Sequence, residues 1–281
     1  MSKLISKIFG LEFENKFYKL GLSNSRIANT LSYVCEEKYI DQVNDNENIV
    51  AVITNKELSY KISKKTYLCN DPLYAFWEYF NVCSNHTINA RCSPSKIHET
   101  CFIHPTSYIS PQDVTIGKNS IIEPHVTIHG GVRIGEDCLV RSGAVLGFDG
   151  FEMKKTDSGI LPIIHDGLLV IKDRVEIGSL NSLAKGFSWQ NTYIDCDTKI
   201  DSLVHIAHAS KVGKACFITA SCEVSGSVVI GDNCWLGPRS AITNGVTIGS
   251  NTFIGIGAVV TKSFGENLVI AGNPAKILRR K

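Results

Sequence analysis

Apolar positions in this chain fall on a six-residue clock. Aliphatic residues recur at Ile116, Ile122, Ile128, Ile134, Val140 and Leu146, with Ile103 and Ile109 just ahead of them. After a break the beat returns at Ile171, Ile177 and Leu183. A last run, from Ile194, goes without a skip through Ile200, Ile206, Val212, Ile218, Val224, Ile230, Leu236, Ile242, Ile248, Ile254 and Val260. A period of six matches neither the 3.6 of a helix nor the 2 of an alternating strand. It matches a short strand plus a corner, repeated.

The flanking positions agree. The residue after the aliphatic one is often glycine, as at Gly117, Gly135, Gly178, Gly213, Gly231, Gly237 and Gly249. Four residues after it stands a small or β-branched side chain, as at Thr198, Val204, Ser210, Cys216, Cys222, Val228, Cys234 and Ser240. Three such sides close a triangular coil of about 18 residues, with both marked positions facing inward. One coil cannot bury its apolar faces alone, so successive coils stack into a prism. The predicted fold is mainly β: a parallel β-helix over residues 98–264, followed by a C-terminal tail over 265–281.

Two regions leave the clock. Residues 148–169 carry charges, glycines and Pro162, and read as a loop or short hairpin departing from the prism. Residues 1–97 show no beat and read as a small α/β domain. Within it, Asn24-Ser25 is expected to open a helix. The run Asn48–Thr54 reads as a buried strand, and Asp71-Pro72 as the start of a helix whose Tyr74, Phe76, Trp77 and Phe80 face the core.

Composition narrows the function. Lys+Arg is 29 against Asp+Glu 27, a formal charge of +2. That balance argues against general nucleic-acid binding. No apolar run approaches the ~20 residues of a membrane-spanning helix, and the N-terminal MSKLISKIFGLEFENKF lacks the features of a signal peptide. A soluble, cytoplasmic protein is expected. The ten cysteines form no Cys-x-x-Cys pair, and four occupy the small inward position of the repeat. There they act as small apolar residues, so neither disulfides nor a metal site is expected.

The unbroken beat also places side chains. His208 lies two steps after Ile206, and Gly226, Asn244 and Lys262 follow at 18-residue intervals in the same column. A glycine next to a histidine lets a ligand approach the backbone and leaves an N–H available to an oxyanion.

Particular segments resemble the lipid A pathway UDP-3-O-(3-hydroxyacyl)glucosamine N-acyltransferases. Ile200-Asp201-Ser202-Leu203-Val204-His205-Ile206-Ala207-His208 is similar to that family's I-D-N-x-x-x-I-A-H. Asp149-Gly150-Phe151-Glu152-Met153 is similar to its D-G-F-G-[FY] loop, and Leu31–Tyr39 to its L-S-F-x-x-N-x-K-Y segment. The resemblance implies a left-handed β-helix, a homotrimer with sites between prisms, and N-acylation of a nucleotide-linked amino sugar. By the same resemblance His208 is the general base, Asp201 the acid associated with it, and Gly226 the step at which the oxyanion is held. Tyr33 and Tyr39 would sandwich a nucleobase beside Glu36, and Asp149 and Phe151 would lie near the substrate. No permanently bound cofactor is implied.

Departures from that pattern bear on the donor. Glu36 stands where the family has Asn, and Gly245 where it has a second histidine. The ending Ala271-Gly272-Asn273-Pro274-Ala275-Lys276 resembles the G-x-P-A-[KR] tail of coenzyme A-dependent hexapeptide acetyltransferases. On that likeness Asn244, Lys262, Pro274, Lys276 and Arg279 would meet acyl-CoA. The expected reaction is acyl transfer from acyl-CoA to an amino-sugar nucleotide that feeds a surface polysaccharide. The alternative is the lipid A enzyme itself, using acyl-carrier protein. Two other classes are a hexapeptide carbonic anhydrase and a non-catalytic scaffold. The first needs three converging histidines where only His205 and His208 are close in sequence; the second leaves the His208–Gly226 column without a role.

Overall fold

The computed structural model describes residues 19–188 and 190–281. The expectations placed on the N-terminal MSKLISKIFGLEFENKF lie outside the described residues. The chain divides into two compact units. One comprises residues 1–87 with 152–164, and the other residues 88–151 with 165–281. This division differs from the expected 1–97, 98–264 and 265–281. Strand Lys96–Ile97 already pairs in parallel with the prism strand Val114–Ile116, because the winding begins before the repeat becomes regular. Residues 265–281 are not a free tail. Strand Leu268–Gly272 pairs in parallel with Phe253–Ile254, then turns back antiparallel along Ala275–Arg280.

In the second unit the six-residue beat becomes three sheets, parallel but for the final strand Ala275–Arg280. Face A has eight strands from Lys96–Ile97 to Thr247–Ile248, face B ten from Phe102–Ile103 to Ala275–Arg280, and face C eight from Tyr108–Ile109 to Val259–Val260. Each repeat contributes one short strand, and the chain visits the faces in turn. The left-handed β-helix follows. The beat residues stack in register, for example Ile206 on Val224 and Val224 on Ile242. From Ile116 onward they are buried and form one continuous core, with Ile103 and Ile109 partly buried against it. Each inward Ile or Leu contributes about 1.5–3 kcal/mol by leaving water.

The small inward positions have a second duty. Thr198 Oγ1 donates to the Gly213 carbonyl at 2.8 Å and Ser210 Oγ to the Ser225 carbonyl at 2.9 Å. Cys216 and Cys222 use their thiols in the same way, toward Gly231 and Gly237 at 3.1 and 3.2 Å. They therefore fill narrow space and satisfy carbonyls that face inward. The corners themselves turn through left-handed residues one step before these positions, such as Leu203, Ala209, Ala215 and Ser221. The repeat glycines are required for a different reason: a side chain at Gly178 would meet the backbone of Asp201 at 2.5 Å.

The first unit holds a four-stranded parallel sheet: Lys19–Leu20, Thr30–Val34, Ile49–Thr54 and Lys65–Leu68, in chain order. The expected helix after Asn24-Ser25 is instead a turn leading into strand Thr30–Val34. Local side-chain bonds displace it: Thr30 Oγ1 donates to the Ile27 carbonyl, and Asn46 Nδ2 to the carbonyls of Ser23 and Ser25. Such bonds compete with a helical ladder. The helix Pro72–Arg91 forms as expected, with Asp71 Oδ1 accepting the Tyr74 N–H at 2.9 Å. Phe76, Trp77 and Phe80 are buried, whereas Tyr74 is only half-buried.

The middle of the 148–169 excursion is an antiparallel hairpin, Met153–Thr156 with Gly159–Pro162, and it packs within the first unit. Buried Asn81 grips it from both sides, donating to the Pro162 carbonyl and accepting the Ile164 N–H, each at 2.9 Å. Lys154 Nζ lies 4.7 Å from the centre of the Trp77 ring.

Candidate functional site

The candidate chemistry gathers where the chain leaves face C for face A. Leu183, Ile206, Val224, Ile242 and Val260 are in register along face C. Two residues after each stand Lys185, His208, Gly226, Asn244 and Lys262, so the expected column is present, extended by a lysine. Both departures from the clock leave by this same corner, on successive coils. The first is 148–169. The second is short: eleven residues, not six, separate Leu183 from Ile194.

His208 is 6% exposed. Its main chain is held on both sides: its carbonyl accepts the Ser227 N–H at 2.9 Å, and the next N–H, of Ala209, donates to buried Thr192 Oγ1 at 2.9 Å. The imidazole lies flat against the coil above. A Cβ built on Gly226 would sit 2.5 Å from His208 Cε1 and 2.8 Å from Nε2. Only a residue without a side chain fits there. The N–H at this step of a coil lies outside the strand ladder, and elsewhere a side chain takes it: Asp232 Oδ1 accepts from Lys214 and Ser250 Oγ from Asp232. Among the described residues the Gly226 N–H has no such acceptor.

Three more groups enclose the ring, and sequence reasoning passed over two of them. His165, fully buried, meets His208 edge to face with ring centres 5.5 Å apart. Phe187 meets it at 4.9 Å. Gly150 closes the remaining side, since a Cβ there would be 2.9 Å from His208 Cδ2 and 3.0 Å from His165 Nε2. The only sequence signal for Phe187 was the long step from Leu183 to Ile194. His165 gave none, because it lies where the clock is broken.

Asp149 and Lys185 pair at 2.8 Å, with the lysine side chain 15% exposed. Together with Arg91, Asp113, His129 and Phe148 they line a cavity of about 380 Å³ in the coils below His208. Phe151 is 85% exposed. Asn244, Lys262, Lys276 and Arg279 are exposed, and Pro274 sits in the turn between the two terminal strands.

Within one chain Asp201 does not join His208. It follows strand Lys199–Ile200 on face B, is exposed, and shares a groove with Glu176, Lys199, Phe217 and Thr219. Its Oδ1 accepts the Ser202 N–H at 2.7 Å. A separation of seven residues carries the chain past a corner, so the two side chains belong to different edges of the prism. His205 is half-buried on the outer side of face C. Its Nδ1 is 2.8 Å from Ser182 Oγ, and its Nε2 3.9 Å from Glu223. Burial pushes the Glu223 carboxyl up against the opposing pull of His205. Among the described residues no three His, Cys, Asp or Glu side chains converge as a metal would require.

In the first unit Tyr33, Glu36 and Tyr39 line one cavity of about 340 Å³ with Leu22, Ser23, Cys35, Gln42 and Leu73. Tyr33 is supported from behind by Phe76, ring centres 4.7 Å apart, and burial pushes its hydroxyl up. Glu36 pairs with Lys38 at 2.6 Å, and Lys38 Nζ lies 4.9 Å from the Tyr39 ring centre.

The bacterial transferase hexapeptide family (six repeats) matches residues 113–147 and 227–262, and the hexapeptide repeat of succinyl-transferase matches 211–237. The UDP-3-O-acylglucosamine N-acyltransferase of Hahella chejuensis is 40% identical over 106 residues, 38% of this chain and 30% of that protein. Its namesake from Rickettsia bellii is 39% identical over 111 residues, 40% of this chain and 32% of that protein. The matched segment thus spans about a third of the length of these curated relatives. Among solved structures, the UDP-N-acetylglucosamine acyltransferase from Campylobacter jejuni superposes with TM-score 0.55 at 21% identity, covering 66% of this chain and 75% of that one. The Francisella novicida UDP-N-acetylglucosamine acyltransferase gives TM-score 0.55 at 23% identity, covering 67% and 70%. These two establish the fold.

Proposed function

We propose that this hexapeptide-repeat β-helix protein, similar to the UDP-3-O-acylglucosamine N-acyltransferases, catalyses the same class of reaction: transfer of an acyl group from a thioester to the amine of a nucleotide-linked amino sugar. The single observation that carries this reading is the His208 imidazole seated on side-chain-free Gly226 at an edge of the prism. The relatives' names favour the lipid A-type acceptor, an acylated glucosamine nucleotide, over the polysaccharide precursor first expected.

His208 takes a proton from the amine as the nitrogen attacks the thioester carbonyl. The new C–N bond leaves a tetrahedral oxyanion, which accepts a hydrogen bond from the Gly226 N–H. The C–S bond then breaks, and the imidazolium returns its proton to the departing thiolate. A positioned base contributes on the order of 10²–10⁴ in rate, and a preorganised oxyanion donor on the order of 10²–10³. In this scheme the cavity of the first unit takes the nucleobase against Tyr33 and Tyr39. Asn244 and Lys262, further along the column, meet the donor, and the enzyme works as a homotrimer.

The test is incubation of the protein with UDP-linked amino sugars, with and without a 3-O-acyl group, and with acyl-CoA or acyl-carrier-protein thioesters. Mass spectrometry should report an amide product and one free thiol per turnover. If no amino-sugar nucleotide is acylated with either donor, the proposal is wrong. The two donor arms decide between coenzyme A and carrier protein.

A further inference from the structure

The excursions that interrupt the repeat are stapled to each other. The Ser188 N–H donates to Asp166 Oδ1 at 3.0 Å, the Gly167 N–H to the Gly186 carbonyl at 2.9 Å, and the Leu168 N–H to Asn191 Oδ1 at 2.9 Å. Arg91 adds a guanidinium bond to the Asp166 carbonyl. These bonds fix the main chain just after His165 and on either side of Phe187. The rings that they hold, His165 and Phe187, are themselves in contact, centres 5.1 Å apart. Both press edge-on against His208 at interplanar angles of 69° and 79°.

We infer that His165 is a positioning residue for His208. The inference rests on the reading above, in which His208 is the base. An imidazole on a single Cβ has two torsions to lose, and edge-to-face packing from two sides removes that freedom. Gly226 sets the ring's height, Phe187 and His165 set its tilt, and Gly150 lets the excursion close over it. The ring is packed by these four neighbours, so the base is oriented before substrate arrives. A fully buried polar ring at this place has no comparable duty toward the core, whose members are aliphatic and cysteine side chains and Phe264. Here the second imidazole comes from the broken coil before His208, while the position that holds one in the resembling enzymes is Gly245.

The experiment compares the unaltered protein with the variants His165→Ala and His165→Phe. His165→Phe keeps an edge-on ring and guards against a folding artefact. Removing the ring should lower kcat by about ten- to a hundred-fold, with KM for both substrates within about two-fold, because a small misplacement of a catalytic group has effects of that order. His165→Phe should recover most of that loss. The second readout is independent of turnover: the ring resonances of His208 in ¹⁵N-histidine spectra, assigned with His208→Gln. They should be single and sharp in the wild type and in His165→Phe, and displaced or broadened in His165→Ala. Unchanged kcat and unchanged His208 resonances in His165→Ala would overturn the inference. So would a KM effect alone, which would put His165 at the substrate. If the wild type acylates nothing, the acyl-transfer reading fails, and the spectra still decide whether His165 orients His208.

Discussion

The imidazole of His208 occupies the volume that a side chain at residue 226 would need. A Cβ on Gly226 would lie 2.5 Å from His208 Cε1, far inside van der Waals contact. Gly226→Ala must therefore displace the ring. We expect kcat to fall by about a hundred-fold, the effect of moving a catalytic group by about 1 Å. Overpacking should also cost about 1–3 kcal/mol of stability. Steady-state kinetics with a denaturant melt measure both, and full activity in Gly226→Ala would contradict the geometry.

His208→Gln keeps most of the bulk between Phe187 and His165 but cannot cycle a proton. The expected loss is on the order of 10²–10⁴ in kcat. The melting temperature should stay close to that of the wild type. A variant that loses stability and keeps its rate would mark His208 as structural.

Tyr39 is 38% exposed, whereas Tyr33 packs on Phe76. Tyr39→Ala is thus the cleaner probe of the first unit's cavity. It should raise KM for the nucleotide sugar by about five-fold or more, a loss of about 1–3 kcal/mol of base stacking, and leave kcat unchanged. An unaltered KM would remove this cavity from substrate recognition.

Cys216 points inward and its thiol donates to the Gly231 carbonyl, the task that Ser210 performs by hydroxyl toward Ser225. Cys216→Ser should consequently cost no more than about 1.5 kcal/mol, the scale of one hydrogen-bond exchange. Cys216→Leu should cost about 1–3 kcal/mol or more by overpacking a narrow prism. Urea denaturation of the two variants compares them; equal tolerance of Leu would mean the interior has room to spare.

Thiol labelling should discriminate sharply between cysteines. Burial pushes the Cys69 thiol up to about 11, so at pH 8 about 0.1% of it is thiolate. Burial likewise raises Cys138, whereas Cys92 is exposed. Iodoacetamide at pH 8 should modify Cys92 first, and Cys69 only as the pH is raised toward 11. Peptide mass spectrometry gives the order, and early labelling of Cys69 would contradict its burial.

Inside the unbroken run, sequence alone determined nearly everything. A strict period maps residue number onto face, corner and coil, because every coil repeats the same backbone path. It therefore put His208, Gly226, Asn244 and Lys262 in one column, and turned Cys216, Cys222 and Cys234 inward. The same count places Asp201 and His208 at different corners, since seven residues step past one, but the family motif led to the expectation that they join.

Where the period stops, counting stops with it. His165 lies 43 residues before His208 and Phe187 lies 21 before it, and neither number is a multiple of the coil. Their meeting depends on two excursions leaving one corner on successive coils and being pinned by Asp166, Gly186 and Asn191. The same holds for the hairpin 152–164, which Asn81 binds into the first unit from a distant stretch of chain. A repeat is a local rule that every coil obeys. The orientation of the base is a long-range property of segments that leave the repeat, and only the folded chain decides it.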